Sequence, residues 1–184
     1  MRMSVLIALA LALGLAHGSH ARADVSPKHA LLLAKALSYE RRLAERKGSS
    51  VGIAILYAAD NAASKASAQS WLKAFAALGA LKVHGVPVEV VTIPFQRERV
   101  AELVRARGID VLLTCEGSPY AMVAALAREH RILSVADTRA GVDNNLSLAV
   151  FVHREKPLIL INVRAAKAEG AVFSAKLLQL ATLL

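Results

Sequence analysis

The sequence predicts an α/β protein with three layers, α/β/α, in which helices cover both faces of a mostly parallel, Rossmann-like sheet and an antiparallel C-terminal hairpin lies at one edge. Apolar runs of strand length alternate with segments of helical periodicity between residues 26 and 136. The runs 51–57 and 110–115 lack polar alternation, as is typical of parallel strands buried on both faces. Finally, the apolar runs 146–152 and 158–162 flank a polar break of hairpin length.

The first 23 residues are predicted to be a cleavable signal peptide. Arg2 precedes an apolar run at 5–16, and Ala21-Arg22-Ala23 follows it, which is the order of a secretory signal with an A-x-A cleavage site. The run is much shorter than the roughly 20 residues that span a bilayer. Cleavage near Ala23 would release residues 24–184 as an exported, single α/β domain, long enough for one hydrophobic core.

The mature chain is predicted to begin with one amphipathic helix from Ser26-Pro27 to about Gly48, followed by the strand at 51–57. A helix at 64–78 carries Trp71 on its apolar face, which favours a core position for the indole. The remaining elements are strands at 86–93 and 132–136, a helix at 97–107, a helix capped by Ser118 with Pro119 at its first position, and a final helix from Ser174 to 184. The final helix is apolar almost all round, so it should be buried in the domain or against a partner.

The basic net charge of the chain limits the kinds of molecule that it is expected to bind. Signal cleavage removes Arg2 and Arg22 and no acidic residue, so the formal net charge falls from +9 to +7. Export excludes nucleic acid as the partner of this basic chain and leaves an anionic membrane surface, an acidic protein face or a small anion. An unpaired scatter of surface Arg and Lys is the plainer explanation, since no run of five like charges occurs.

Open α/β sheets bind ligands beyond the carboxyl ends of their strands. Gly117 and Ser118 would present backbone N–H groups to an anion at a helix start, although Glu116 opposes this. Ordinary turn-forming loop ends are the alternative interpretation. The candidate ligand-binding residues at these ends are Tyr57, Asp60, Glu116, Gly117, Ser118, Asp137 and Asn144.

No residue pattern predicts catalysis, a metal or a cofactor. His84, His130 and His153 lie at element ends without a carboxylate at motif spacing, and no zinc-ligand pair, Walker loop or G-x-G-x-x-G occurs. Cys115 is the only cysteine, so no intramolecular disulfide can form, and its place after a buried strand predicts an inert core thiol.

The last fifty residues carry a distinctive combination. Asp137 and Gly141 precede Ile161-Asn162-Val163 and the paired alanines 165–166, and Gly170 leads into Ser-Ala-Lys-Leu-Leu-Gln-Leu-Ala at 174–181. This combination resembles the C-terminal signature of the YfiR family (YfiR/HmsC-like), exported bacterial proteins that hold membrane-bound diguanylate cyclases in check. The chain departs from members that carry cysteine pairs, and its first helix keeps only Tyr39 of an aromatic-rich segment.

The resemblance implies a non-enzymatic periplasmic regulator that contacts the periplasmic sensor domain of an inner-membrane diguanylate cyclase and represses cyclic-di-GMP synthesis. A small solute-binding component of a transport or sensing system is the alternative, and an exported enzyme ranks last. The sequence leaves open whether the protein forms a homodimer. The predicted partner-binding surface combines the first helix and the 137–145 loop through Arg41, Arg42, Arg46 and Arg139.

Overall fold

The computed structural model describes residues 25–45, 48–153 and 156–184. Within these ranges one eight-stranded sheet has the order β2-β3-β1-β4-β5-β6-β7-β8. The strands are β1 (Val51–Tyr57), β2 (Lys82–Val83), β3 (Val86–Pro94), β4 (Ile109–Thr114), β5 (Leu133–Ala136), β6 (Leu148–His153), β7 (Lys156–Ile161) and β8 (Thr182–Leu183). The proposed signal peptide and Arg46 lie outside the described residues.

The sheet confirms the predicted fold class. β3, β1, β4, β5 and β6 run parallel, and β1 pairs with β3 on one side and β4 on the other. The predicted hairpin is present as β6 and β7. β6 continues the parallel ladder beside β5, β7 runs antiparallel to β6, and β8 pairs parallel with β7 at the edge of the sheet. β2 forms a second antiparallel pair with β3 at the opposite edge, which the sequence analysis missed.

Two helical layers enclose the sheet. The helices are α1 (Pro27–Leu37), α2 (Arg41–Glu45), α3 (Ala62–Ala76), α4 (Arg97–Arg107), α5 (Tyr120–His130), α6 (Arg139–Asp143), α7 (Val163–Glu169) and α8 (Ala175–Leu180). Successive residues of β1 face opposite layers, since Ile53 and Ile55 join the core under α1 and α3, whereas Ala54 and Leu56 join the core under α4 and α5. This alternation explains why the strand lacks polar residues.

The predicted single first helix is wrong, because the chain breaks at Glu40. Glu40 is only 2% exposed. Its carboxylate accepts hydrogen bonds from the backbone N–H groups of Arg42 (3.1 Å), Leu43 (2.6 Å) and Val172 (2.6 Å). The first two bonds satisfy N–H groups at the start of α2, as a capping residue does. The third ties α2 to the C-terminal part of the chain.

The start of α5 also differs from the prediction. The cap position is Pro119 rather than Ser118, and the buried Ser118 hydroxyl has no hydrogen-bond partner within the described part of the chain. Gly117 causes this difference: its φ of +84° is a left-handed conformation, and a Cβ there would lie 2.6 Å from Asn61 Nδ2. The turn therefore directs the Ser118 side chain into the interior.

The last residues form a helix and then a strand. Ser174 caps α8 as predicted, since its Oγ accepts from the Leu177 N–H at 3.4 Å. The predicted extension of the final helix to Leu184 is wrong, because α8 ends at Leu180. Of the two predicted environments, burial in the domain is excluded for Leu180, which is 66% exposed, and burial against a partner stays a prediction. β7 offers backbone partners instead, and the Leu184 N–H donates to the Ile161 carbonyl at 2.9 Å.

A charge introduced into β4 tests the central position of this strand. Val111 is fully buried, so Val111→Asp should prevent folding, because an unpaired buried carboxylate costs several kcal/mol against a total stability of about 5–15 kcal/mol. Val163→Asp is the matched control: this residue is 44% exposed at the start of α7, and its unfolding free energy should change by no more than about 0.5 kcal/mol. Urea unfolding of both variants is the measurement, and unchanged stability of Val111→Asp would contradict the assigned position.

Candidate functional site

Of the two N–H groups predicted to face an anion, those of Gly117 and Ser118, the second is used within the protein. The Glu116 N–H donates to Asp137 Oδ1 at 2.9 Å, and the Ser118 N–H donates to the Cys115 carbonyl at 3.2 Å. Asn61 lies against Gly117 and so occupies the space between the ends of β1 and β4. The Ser118 N–H is therefore directed to the protein itself rather than to an anion.

A small cavity lies one strand further along the same edge. Its volume is about 220 Å³, and it is bounded by α1, α3, the loops after β4 and β5, and β6. The lining residues are Val25, His29, Trp71, Glu116, Asp137, Thr138, Arg139, Phe151 and Val152. The structure thus brings together Glu116 and Asp137 of the predicted ligand residues, with Arg139 beside them, whereas Tyr57, Asp60, Gly117, Ser118 and Asn144 lie outside this lining.

Asp137 is held in position at the wall of this cavity. Besides the Glu116 N–H, its carboxylate accepts from Ser67 Oγ at 2.8 Å, and its own N–H donates to the Thr114 carbonyl at 3.2 Å. These bonds connect the ends of β4 and β5 to α3. Ser67 precedes Trp71 by four residues on α3, so both lie on the same face of that helix.

The aromatic side chains of Trp71 and His29 line one side of the cavity. Trp71 is 1% exposed, and its ring meets that of His29 edge to face, with centroids 6.2 Å apart. Burial lowers the pKa of His29, an effect that its hydrogen bond with the Ser26 backbone opposes, so the imidazole is neutral at pH 7. The Ser26 N–H donates to His29 Nδ1 at 3.1 Å, and Ser26 Oγ lies 3.0 Å from the same nitrogen.

Trp71 combines two roles of which the sequence indicated one. It is a core residue, as its helical spacing predicted, and it also lines the cavity. Its buried Nε1 has no hydrogen-bond partner among residues 25–45, 48–153 and 156–184. A buried N–H without an acceptor costs free energy, so the packing of the indole in the core must offset that cost.

Arg139 stands at the rim of the cavity on α6, where the sequence predicted only a polar loop. Its side chain is 60% exposed, and Nε lies 3.4 Å from Asp143 Oδ2. α6 lies very close to β5, because a Cβ added at Gly141 would be 2.2 Å from the Ala136 Cβ. Only glycine permits this approach, which places Arg139 beside the cavity.

The predicted partner arginines do not form one patch. Arg41 and Arg42 are exposed on α2, and Leu43 of that helix lines a pocket with Val51, Val86 and Asp110 near the amino ends of β1, β3 and β4. Arg139 follows the carboxyl end of β5. The prediction that the first helix and the 137–145 loop form a single surface is therefore wrong, because α2 lies at the amino ends of the parallel strands and the loop lies at their carboxyl ends.

A second, polar pocket of about 440 Å³ lies beside α2. It is lined by Arg42, Glu45, His130, Arg131, Glu169 and Gly170. Arg42 Nε is 3.7 Å from Glu45 Oε2, and both side chains are at least half exposed. This pocket adjoins one of the predicted partner arginines, whereas the ligand residues of the sequence prediction lie elsewhere.

Glu169 is the buried acid of this pocket. It accepts from the Ser134 N–H (2.9 Å), Ser134 Oγ (2.5 Å) and Ser147 Oγ (2.5 Å), and the Ser147 N–H donates to Ser134 Oγ (3.0 Å). Burial raises the pKa of Glu169 to about 7, although the serine hydrogen bonds and the charge of Arg128 act in the opposite direction. Nothing in the local sequence distinguishes this glutamate from a surface residue.

Asn162, part of the Ile161-Asn162-Val163 segment of the family signature, has a structural role. Its Oδ1 accepts from the Ala165 N–H at 2.9 Å and caps α7, and its Nδ2 donates to the Val142 carbonyl at 3.4 Å. The described ranges contain no cluster of three or more His, Cys, Asp or Glu side chains suited to a metal ion. None of the helices in those ranges combines the length and apolarity needed to cross a bilayer.

A sheet covered on both faces, with a cavity beyond the carboxyl ends of its strands, defines an α/β domain of the doubly wound type. The sequence profile of the DUF4154 family, described as YfiR/HmsC-like, matches residues 30–182. The chain belongs to this family, which confirms the resemblance noted in its last fifty residues. Members of the family are periplasmic regulators of diguanylate cyclases.

Solved structures share the fold at low sequence identity. A conserved domain protein from Vibrio cholerae has a TM-score of 0.57 and 15% identity, over 85% of this chain and 59% of its own. An ABC domain in complex with L-Trp from Streptococcus pneumoniae has a TM-score of 0.56 and 13% identity, over 88% of this chain and 62% of its own. The chain thus spans about six tenths of the length of each. No curated protein sequence gives a significant match.

The pKa of Glu169 predicts how stability depends on pH. Its folded value of about 7 exceeds the ordinary 4.5, so its contribution is fully present below pH 4.5 and is lost as pH rises through 7. At 1.36 kcal/mol per pKa unit, the loss is about 3 kcal/mol. Glu169→Gln should remove this loss, as measured by urea unfolding at pH 5 and pH 8.

Glu129 supplies the control, because its side chain is 56% exposed. The unfolding free energy of Glu129→Gln should depend on pH as that of the parent protein does. The change in unfolding free energy between pH 5 and pH 8 also distinguishes Glu169 from His29. The lowered pKa of His29 makes stability rise with pH, whereas the raised pKa of Glu169 makes it fall. An unchanged slope in Glu169→Gln would show that this carboxyl titrates near its ordinary value.

Proposed function

We propose that this protein represses a membrane-bound diguanylate cyclase by binding the cyclase's periplasmic domain. The observation that carries the proposal is family membership, because the YfiR/HmsC-like profile extends over residues 30–182 and so includes nearly the whole predicted mature domain. Repression by binding needs no catalytic group in the chain. It requires a surface that recognises one conformation of the cyclase better than the other.

The energy required is modest. A regulator shifts a two-state partner only by its differential affinity for the two states, and each tenfold difference corresponds to about 1.4 kcal/mol. A few well-placed contacts supply a difference of this size. The surface that provides them should therefore be rigid in the regulator itself, so that binding energy is not spent on ordering it.

α2 meets this requirement. Its exposed Arg41 and Arg42 project from a short helix whose first N–H groups are bonded to the buried Glu40 carboxylate, and the Arg41 N–H also donates to the Val172 carbonyl at 2.9 Å. The helix is thus attached at two points to the body of the protein. Two adjacent arginines on a fixed helix suit an acidic face of the cyclase's periplasmic domain.

Charge reversal on α2 tests this surface. Arg41→Glu combined with Arg42→Glu should weaken binding to the purified periplasmic domain of the cognate cyclase at least tenfold at low salt, and by less at 0.5 M salt, because screening reduces attraction between exposed charges. The unfolding free energy should stay within about 0.5 kcal/mol of the parent, as for ordinary surface substitutions. Calorimetric titration at two salt concentrations measures the first effect.

The control changes the net charge equally on another helix. Lys65 and Lys73 are exposed on α3, and their double reversal to Glu should leave the affinity unchanged. Equal weakening by both double variants would assign the effect to overall charge rather than to α2. Full affinity of the α2 variant at low salt would exclude α2 from the interface.

We also propose export with cleavage near Ala23, on the order of charge, apolar run and A-x-A in residues 1–23. N-terminal sequencing of the protein recovered from the periplasm should begin at Asp24. A mature protein that retains Met1 would contradict the assignment of this region as a signal peptide.

A periplasmic solute-binding component remains the second candidate, and the cavity beside Asp137 is the observation that favours it. The S. pneumoniae protein of similar fold was solved with L-Trp bound, although an identity of 13% carries the likeness no further than the fold. Co-purification decides between the two candidates. Recovery of a membrane-bound cyclase with the protein supports the repressor, and recovery of a permease complex supports the solute-binding component.

A further inference from the structure

Exposed aliphatic side chains are concentrated around the edge strand β8. Val163, Leu180, Leu183 and Leu184 are between 44% and 66% exposed, and we call these four residues the β8 patch. The Val163 N–H donates to the Leu184 carbonyl at 3.4 Å, and Leu180 ends α8 just before β8 begins. The four side chains therefore belong to one region of the surface. Contiguous exposed apolar surface marks sites that meet a protein or a membrane.

Basic side chains flank the β8 patch on both helices. Arg164 and Lys167 are exposed on α7, and Lys167 follows Val163 by four residues, so these two lie on the same face of the helix. Lys176 is exposed on α8 and precedes Leu180 by four residues, which places them side by side in the same way. Each helix thus presents a cation next to an aliphatic side chain.

The exposed charges of α7 and α8 are all positive. The one acidic residue of the sequence from 163 to 184 is Glu169, which is only 2% exposed. Asp143 of α6 comes near the patch, because Asn162 Nδ2 donates to the carbonyl of the preceding Val142. Asp143 Oδ2 lies 3.4 Å from Arg139 Nε, so a cation of its own helix accompanies this carboxylate. The surroundings of the patch therefore remain basic.

The composition of the β8 patch favours a bilayer over a protein as its partner. A partner strand would find little backbone to pair with, since β8 has only two residues. A second copy of the chain, docked about a two-fold axis, would bring the cations of both copies together. Protein interfaces are enriched in aromatic anchors, and the patch contains none. An anionic bilayer supplies phosphates for the cations and hydrocarbon for the aliphatic side chains.

We propose that the β8 patch docks this protein on an anionic phospholipid bilayer. The aliphatic side chains of the patch enter the boundary between headgroups and acyl chains. Arg164, Lys167 and Lys176 contact lipid phosphates, while their apolar stems lie along the same surface. The patch has no residue in common with α2, so a docked molecule keeps Arg41 and Arg42 for another partner.

Co-sedimentation of the full mature protein with unilamellar vesicles tests the proposal. The vesicles would contain phosphatidylcholine with about 30% phosphatidylglycerol, or phosphatidylcholine alone. The partition coefficient at low salt should be at least tenfold higher on the anionic vesicles. At 0.5 M salt this difference should shrink, because screening weakens the attraction between exposed charges.

Two double variants locate the docking surface. Leu180→Ser with Leu183→Ser removes apolar side chains of the patch, and Arg164→Gln with Lys167→Gln removes two of its charges. Each double variant should lower the partition coefficient on anionic vesicles at least fivefold, because both apolar area and charge contribute to binding at a bilayer surface. All four positions are exposed, and urea unfolding of each variant verifies that the fold is kept.

Matched controls make the same kinds of change elsewhere. Leu72→Ser with Met122→Ser alters exposed apolar residues of α3 and α5, and Lys65→Gln with Lys73→Gln removes two exposed charges of α3. Both controls should partition as the parent does. No cyclase is present in this experiment, so its result is independent of the repressor proposal.

Three results would overturn the inference. The first is a parent protein that does not bind anionic vesicles, or that binds both kinds of vesicle equally. The second is equal partitioning of the patch variants and their controls, which would place the contact elsewhere on the protein. The third is a dimer in sedimentation velocity that Leu180→Ser with Leu183→Ser dissociates, because the patch would then be an interface between two copies of the chain.

Discussion

The buried Glu169 carboxylate determines how the two halves of the sheet are joined. It accepts hydrogen bonds from Ser134 on β5 and from Ser147 at the entry to β6, and it belongs to the last turn of α7. A carboxylate in this position would be strongly unfavourable without those donors. The three bonds therefore hold β6 beside β5, at the point where the parallel ladder gives way to the hairpin.

The cavity and α2 lie at opposite ends of the parallel strands. At the carboxyl edge, Phe151 and Val152 of β6 close the cavity that contains Trp71 and Asp137. At the amino edge, Glu40 fixes the arginine-bearing α2 near the first residues of the central strands. The cavity and α2 therefore have no residue in common.

The sequence predicted the elements whose signals are local and missed those that depend on distant partners. Uninterrupted apolar runs located the central strands, and the cap of α8 followed from Ser174. The break at Glu40 was hidden, because a glutamate among charged neighbours looks exposed until Val172 supplies its third N–H group. β2 and β8 are too short for any periodicity to reveal them. For the site, strand ends indicated Asp137 and Glu116, but the cavity role of Trp71 required the packing of α1 against α3.

The bond between Glu40 and Val172 spans 132 positions of the chain. Native contacts of such large sequence separation are formed late, because the cost of closing the loop comes before the gain from the contact. The N-terminal helices can therefore complete their packing only after nearly all of the polypeptide has become available. The last attachment of α2 thus waits for Val172, twelve residues before the end of the given sequence.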